Sequence, residues 1–426
     1  MEAVQPLTGN RSHLNIRETK KYQQGHGLQS HEESLYLSAF VDKSNNALKR
    51  SSCPALSCHL ANDEGINILE DGEGFSHMKK KLVMSLMMVA SMIVAAGCGN
   101  NSGGNTTTEG SGSTTSEGTA EKSYRIAISQ IVEHPSLDAT REGFIAALKD
   151  AGLEENKNLT IDYNNAQGDS TNNLSIAQKI AGDSKNDLVL GIATPSALAL
   201  AQQVKDKPLL FAAVTDPLGA KLVSDMDKPG GNVTGASDTN PEAIVQLADF
   251  IAKYLPDVKT VGLVINEGEP NAVVMANNAE KALATHNIKL VKAPVTNTSE
   301  VKQATDSLVG KVDAFYITLD NSVVSAVDTI IQTANKNKIP FFSSDRDTVE
   351  KGAFATVGFK YYDHGYQVGE MAADILKNGT KPGDMKVTVP DKLDLILNLK
   401  AAEAQGITIT DEMKAEVKDQ DNNIIQ

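Results

Sequence analysis

Tryptophan is absent from this chain of 426 residues, and aromatic residues of all kinds make up only 4% of it. The apolar interior must therefore come from Val, Ile, Leu and Ala, which suits parallel strands buried on both faces. Cysteine is scarce as well: Cys53, Cys58 and Cys98 are the only three. None follows Cys98, so no disulfide framework can brace the rest of the chain. Cys53 and Cys58 with nearby His59 match no zinc-ligand spacing. There is no surplus of positive charge. A net charge of −14 disfavours a nucleic-acid partner, which needs a basic patch. Catalytic signatures are missing too: no G-x-S-x-G, no H-E-x-x-H, no P-loop, and no G-x-G-x-x-G between strand and helix. His134 near Asp138 has no nucleophile at a telling spacing, and reads as a loop histidine that lines a site or caps a helix. The expectation is binding without catalysis, with no cofactor and no metal.

What is present is a repeated α/β grammar. The stretch 187–217, DLVLGIATPSALALAQQVKDKPLLFAAVTDP, reads as one unit. Its apolar run 188–192 is a buried strand, Thr194 is placed to cap a helix, and Pro195 suits a first helical position. A second buried strand at 209–214 ends in Thr215-Asp216-Pro217. The grammar recurs at 313–345: strand DAFYIT, turn LDNS, a helix over 323–334, and a strand ending at Ser343-Ser344-Asp345. The opening units echo each other also, 124–152 against 260–286. The fold class expected is α/β, with two doubly wound parallel-sheet lobes joined by a hinge and a ligand cleft between them. Ligands in such sheets sit beyond the carboxyl ends of the strands.

The amino-terminal part reads differently. Residues 1–77 show no sustained period of 2 or 3.6 and are expected to be a mis-annotated extension, with the true start at Met78. Residues 78–97 read as a signal peptide, with a Lys-rich start, an apolar run at 82–96 and small residues before Cys98. The run AAGC resembles the bacterial lipobox, whose cysteine is lipidated. Residues 98–121, rich in Gly, Ser, Thr and Asn, read as a flexible tether. The competing account is a cytoplasmic extension that ends in a signal anchor.

Seven segments in order carry a family resemblance: ISQIVEHPSLDATREGF, IATPSALA, FAAVTDPLGAKLV, GNVTGASD, GLVINEGEPNAV, LDNSVVSA and FFSSDRDTVEKGAFATVGFKYYDHG. Together they resemble the ABC transporter solute-binding proteins of the tryptophan/tyrosine-binding type, similar in fold to the type I periplasmic binding proteins. The resemblance implies a first lobe of 122–236 plus 355–384 and a second of 237–354 plus 385–426. It implies an extracytoplasmic receptor, monomeric and membrane-held by lipid on Cys98. The receptor would bind an amino acid, expected to be aromatic, for a permease and an ATPase. Hinge closure is expected at 234–238, 353–354 and 381–385. A sugar or nucleoside receptor on the same fold stays open, with Tyr361 and Tyr362 after a strand end as its support. An extracellular sensor or enzyme is the third class.

A free amino acid carries a carboxylate and an ammonium. The helix start at Thr194, Pro195 and Ser196 offers backbone N–H groups and a positive dipole end for the carboxylate. Asp320 and Asp345 end strands of the other lobe and could take the ammonium, with Asp216 as the first-lobe alternative. Helix N-capping is the competing role of each aspartate. Glu269 and Asn271 stand in the first loop of the second lobe, and Gln130 and Ser136 in that of the first. Glu269 and Ser136 have helix-terminus alternatives. Thr215, Ser237, Asp238 and Asn321, in the polar turns and the crossing strand, complete the expected binding set.

Overall fold

The computed structural model describes residues 122–426. The extension 1–77, the signal peptide 78–97, Cys98 and the tether lie outside the described residues. The first lobe begins with β1 (Tyr124–Gln130), α1 (Pro135–Asp150), β2 (Leu159–Asn165), α2 (Ser170–Gly182), β3 (Leu188–Ile192), α3 (Thr194–Gln203), β4 (Leu209–Val214) and β5 (Val233–Ser237). These strands form one parallel sheet in the order β2-β1-β3-β4-β5. All residues of β3 and β4 are buried, as their unbroken apolar runs require.

The second lobe continues with α4 (Pro241–Tyr254), β6 (Thr260–Asn266), α5 (Pro270–Ala284), β7 (Lys289–Val295) and α6 (Val301–Leu308). Then come β8 (Ala314–Ile317), α7 (Asn321–Val324), α8 (Val327–Asn337), β9 (Phe341–Ser343), α9 (Arg346–Lys351) and β10 (Ala355–Gly358). The helix expected over 323–334 is thus two helices, broken at Ser325 and Ala326. β11 (Asp394–Asn398) and β12 (Ile424–Ile425) complete a sheet of order β12-β11-β10-β9-β8-β6-β7. It is parallel except where β11 runs against β10.

Several features differ from the sequence reading. The strand at 355 belongs to the second sheet, where Ala355 pairs with Phe342. Its sequence records how deeply it is buried but not which sheet it extends. The chain returns to the first lobe only after Gly358, through Phe359 and Lys360, into α10 (Tyr361–Asn378). The expected hinge at Ala353 and Phe354 is fully buried inside the second lobe. Residues 381–385 lie in the first lobe, where Gly230 donates its N–H to the Gly383 carbonyl at 3.1 Å and Thr234 its hydroxyl to Met385 at 2.8 Å. Residues 386–390 contribute a single bridge, Thr388 to Ala236. The lobes are therefore joined by segments near 238–240, 359–360 and 389–393. The tail buries Met413 and Val417 in the second core.

α10 lies against α1 at close range, and two glycines permit it. A Cβ on Gly365 would sit 1.9 Å from the Thr140 carbonyl oxygen, and one on Gly143 would sit 2.0 Å from that of Tyr362. Phe144 and Leu148 of α1 share a core with Val368, Met371 and Ala372 of α10. This crossing sets the first turn of α10, and with it Tyr361 and His364, over the strand ends of the first sheet.

Candidate functional site

The lobes are closed on each other. Ser136, in the first turn of α1, donates its hydroxyl to Asp345 Oδ1 of the second lobe at 3.0 Å. His134 Nε2 lies 3.4 Å from Asn321 Oδ1. Tyr361 donates its hydroxyl to Asp238 Oδ2, on the first crossing segment, at 3.1 Å. These contacts surround a cavity of about 310 Å³. From the expected set it is lined by Ser136, Thr215, Asp238, Asn271, Asn321 and Asp345. His134, Leu137, Ala213, Leu319, Val324 and Tyr361 complete the wall. A second, more apolar cavity of about 590 Å³ adjoins it, sharing Thr215, Asp238 and Leu319. Ile244 and Leu247 of α4, Val274 and Met275 of α5, Tyr316 and Phe359 line that chamber.

The polar wall is organised by Glu269. Its Oε2 accepts from the side-chain amides of Asn271 at 3.1 Å and Asn321 at 2.6 Å. Asn271 also donates to the Leu319 carbonyl at 2.7 Å. With both NH2 groups committed, the amide oxygens must be the remaining acceptors. Asn321 Oδ1 therefore receives the N–H of His134 Nε2, which leaves Nδ1 of that ring as a bare acceptor. Burial holds the His134 pKa below its ordinary value, so the ring is neutral.

Three buried atoms on the cavity wall have no partner among the described residues: His134 Nδ1, Asp238 Oδ1 and Asn271 Oδ1. All three are acceptors. Burying unpaired polar atoms is costly, so a cavity with three of them calls for donors. Asp238 is also the group whose charge is least settled. Burial pushes its carboxyl up to about 7, against the hydrogen bond from Tyr361.

The other expected residues are engaged elsewhere. Both oxygens of Asp320 are spent on backbone, Oδ1 on Val323 N–H at 3.1 Å and Oδ2 on Asn266 N–H at 2.6 Å. Asp320 is the N-cap of α7 and lines neither cavity. Burial, and then Glu269, raise its pKa. Glu269 holds the start of α7 as well, through Asn321 N–H at 3.0 Å and Ser322 N–H at 2.9 Å. Asp216 caps its own turn by accepting from Gly219 N–H at 2.8 Å. Gln130 serves its own loop, donating to Val132 O and Asp138 at 2.9 Å each and accepting from Arg141 at 2.8 Å. Ser237 donates to the Thr215 carbonyl at 3.2 Å.

The α3 start turns toward α2. Ser196 donates to Asn173 Oδ1 at 3.1 Å, and the Pro195 carbonyl accepts from Asn173 at 3.0 Å. Ala193, not Thr194, is the N-cap residue, at a φ of +76°. Thr194 Oγ1 accepts the Thr215 N–H at 3.3 Å. None of Thr194, Pro195 and Ser196 lines either cavity. The lining residues outside the expected set are mostly apolar; the two that carried a signal are His134, a loop histidine beyond a strand end, and Tyr361, an aromatic just past one.

Residues 125–420 match the family described as ABC transporter substrate binding protein. The chain is 40% identical to the tyrosine-binding protein of Clostridioides difficile over 292 residues, 68% of this chain and 84% of that one. It is similar to the solved ABC domain in complex with L-Trp from Streptococcus pneumoniae, with 33% identity, a TM-score of 0.67, and coverage of 71% of this chain and 100% of the other. It is also similar to a ligand-free, open substrate-binding protein with adhesive properties from Clostridium difficile, with 39% identity, a TM-score of 0.53, and coverage of 71% and 98%. The less identical of the two structures overlays better. The match spans both sheets and the cleft between them, and the chain belongs to the ABC transporter substrate-binding protein family.

Proposed function

We propose that this protein is the extracytoplasmic receptor of an ABC importer, and that it holds an aromatic amino acid between its lobes for delivery to permease and ATPase subunits. The carrying observation is the trio of unpaired acceptors, Asp238 Oδ1, Asn271 Oδ1 and His134 Nδ1, on one small cavity. An ammonium group offers three N–H donors and a positive charge, and so matches that wall. The adjoining chamber, with Ile244, Leu247, Val274, Met275 and Phe359 on its wall, offers apolar surface to the side chain. The relative named tyrosine-binding and the neighbour solved with L-Trp support the aromatic class. The reading is a receptor rather than an enzyme, acting as a monomer and held at the membrane by lipid on Cys98.

Within this reading the ammonium partner is Asp238, not Asp320. Calorimetry with tyrosine, tryptophan and a neutral sugar tests it on wild type and Asp238→Asn. Removing one charge of a buried pair costs about 2–5 kcal/mol, or roughly 30-fold to several thousand-fold in affinity. Asp238→Asn should lose that much for both amino acids. Wild-type binding of the sugar alone would overturn the amino-acid reading, and full-strength amino-acid binding by Asp238→Asn would overturn the assignment of the ammonium site.

A further inference from the structure

Asp345 lines the same cavity as Asp238 but is bonded differently. Its Oδ1 accepts from Ser136 Oγ at 3.0 Å and from Thr348 N–H at 2.7 Å, and its Oδ2 accepts from Ser343 Oγ at 2.8 Å. The residue is 1% exposed, and no oxygen of it is left unpaired. Two of these bonds are local: they fix Asp345 as the N-cap of α9 in the second lobe. The third reaches into the first lobe, 209 residues away in sequence. Ser136 stands in the first turn of α1, a helix of 16 residues whose positive end favours a carboxylate placed against it.

We propose that Asp345 is a positioning residue that latches the closed cleft, and that it does not hold the ligand. The inference rests on the receptor reading above and adds a division of labour to it. Asp238 meets the ligand's charge, whereas Asp345 and Ser136 set how often the lobes are shut. A ligand that binds only the closed form has its affinity scaled by the closed fraction. Losing the latch therefore weakens every cleft ligand by one common factor. Losing a ligand contact weakens each ligand by its own factor.

The clean variant is Ser136→Ala, which leaves the α9 cap intact. Asp345→Ser is its counterpart, because serine still caps a helix but is too short to reach α1. A hydrogen bond to a charged group corresponds to roughly 10- to 100-fold in affinity. Tyrosine and tryptophan binding should fall by that factor in both variants, with the ratio between the two ligands unchanged and the loss carried by faster dissociation. The double variant should be no worse than either single one. Paired spin labels on the two lobes should show the ligand-free closed population falling by the same factor in Ser136→Ala. A changed tyrosine-to-tryptophan ratio, or additive losses in the double variant, would make Asp345 a ligand contact. An unchanged ligand-free closed population overturns the latch outright. If wild type binds neither amino acid, the ligand reading fails, while the label distances still decide the latch.

Discussion

Asp238 and Asp320 are both aspartates just past strand ends, and what separates them is the satisfaction of their oxygens. Asp320 receives backbone N–H groups on both, so its carboxyl is committed to holding α7 against β6. Asp238 receives the Tyr361 hydroxyl on Oδ2 while its Oδ1 has no partner among the described residues, and burial lifts its carboxyl to about 7. The groups facing it are Tyr361 from α10, Thr215 after β4, and Asp345 from the second lobe, whose charge raises it further. The sign of the pH effect follows. Only the ionised carboxyl attracts an ammonium, and burial in the closed, ligand-free cleft lifts the pKa of that carboxyl to about 7. Amino-acid affinity should be highest at about pH 8, fall at higher pH as the ligand's own ammonium loses its proton, and fall as pH drops below 7, approaching tenfold per pH unit. The fall ends where the carboxyl titrates in the complex, at a lower pH because the ammonium stabilises the charge. Calorimetry at pH 6.5 in buffers of different ionisation enthalpy should register proton release on binding, and Asp238→Asn should abolish it. Affinity that does not change between pH 6 and 8 would show that Asp238 is already ionised in the empty cleft or is remote from the ligand.

At the level of elements, strands were the most legible part of the sequence. Runs such as 188–192 and 209–214 are apolar throughout, because both faces of a central parallel strand are covered. The pairing of strands was less legible. β10 has the same kind of sequence as β4, and only its register with Phe342 and its antiparallel neighbour β11 assign it to the second sheet. The site was legible as a region, since six of the expected residues line the cavity. Their roles were not. Whether Asp320 is free depends on the N–H of Asn266, 54 residues away, and the acceptor face of His134 depends on Glu269 acting through Asn321. The importance of α10 was also hidden, because nothing local to Gly365 announces a backbone 1.9 Å from where its Cβ would lie. His364 in this first turn accepts the Ala213 N–H at 3.0 Å, and Ala213, at a φ of +55°, is part of the cavity wall. Burial keeps that imidazole neutral, with its pKa at about 4. Gly365→Ala should push α10 off α1 and shift Tyr361 and His364 together. The expected cost is about 1–3 kcal/mol of stability or more, with weaker ligand binding. Gly182→Ala is the control, since a Cβ there meets nothing within 4 Å. Equal denaturation midpoints for the two variants would contradict the close-packing argument.

For the whole molecule, the fold accounts for a closable binding site, and the proposed place of work rests on the amino-terminal sequence. Three short segments join the lobes, and a receptor of this build reports occupancy by closing about them. That report is useful only beside the transporter, which lies in a membrane. Among the described residues no helix is long and apolar enough to cross one. The sequence AAGC ending at Cys98, behind a Lys-rich start and an apolar run, supports lipidation at that cysteine. One acyl chain anchors only marginally, whereas two or more hold stably. The protein recovered from membranes should therefore begin at Cys98 with more than one chain attached, a mass shift that intact-protein spectrometry reads directly. Cys98→Ala should leave the membrane fraction while its ligand affinity stays at the wild-type value, because the cleft lies wholly within residues 122–426. Retention of Cys98→Ala in salt-washed membranes would point instead to the competing arrangement, an uncleaved signal anchor behind residues 1–77. Peptides from 1–77 should then appear in the same digest, and their absence together with a lipidated Cys98 decides for the anchored receptor.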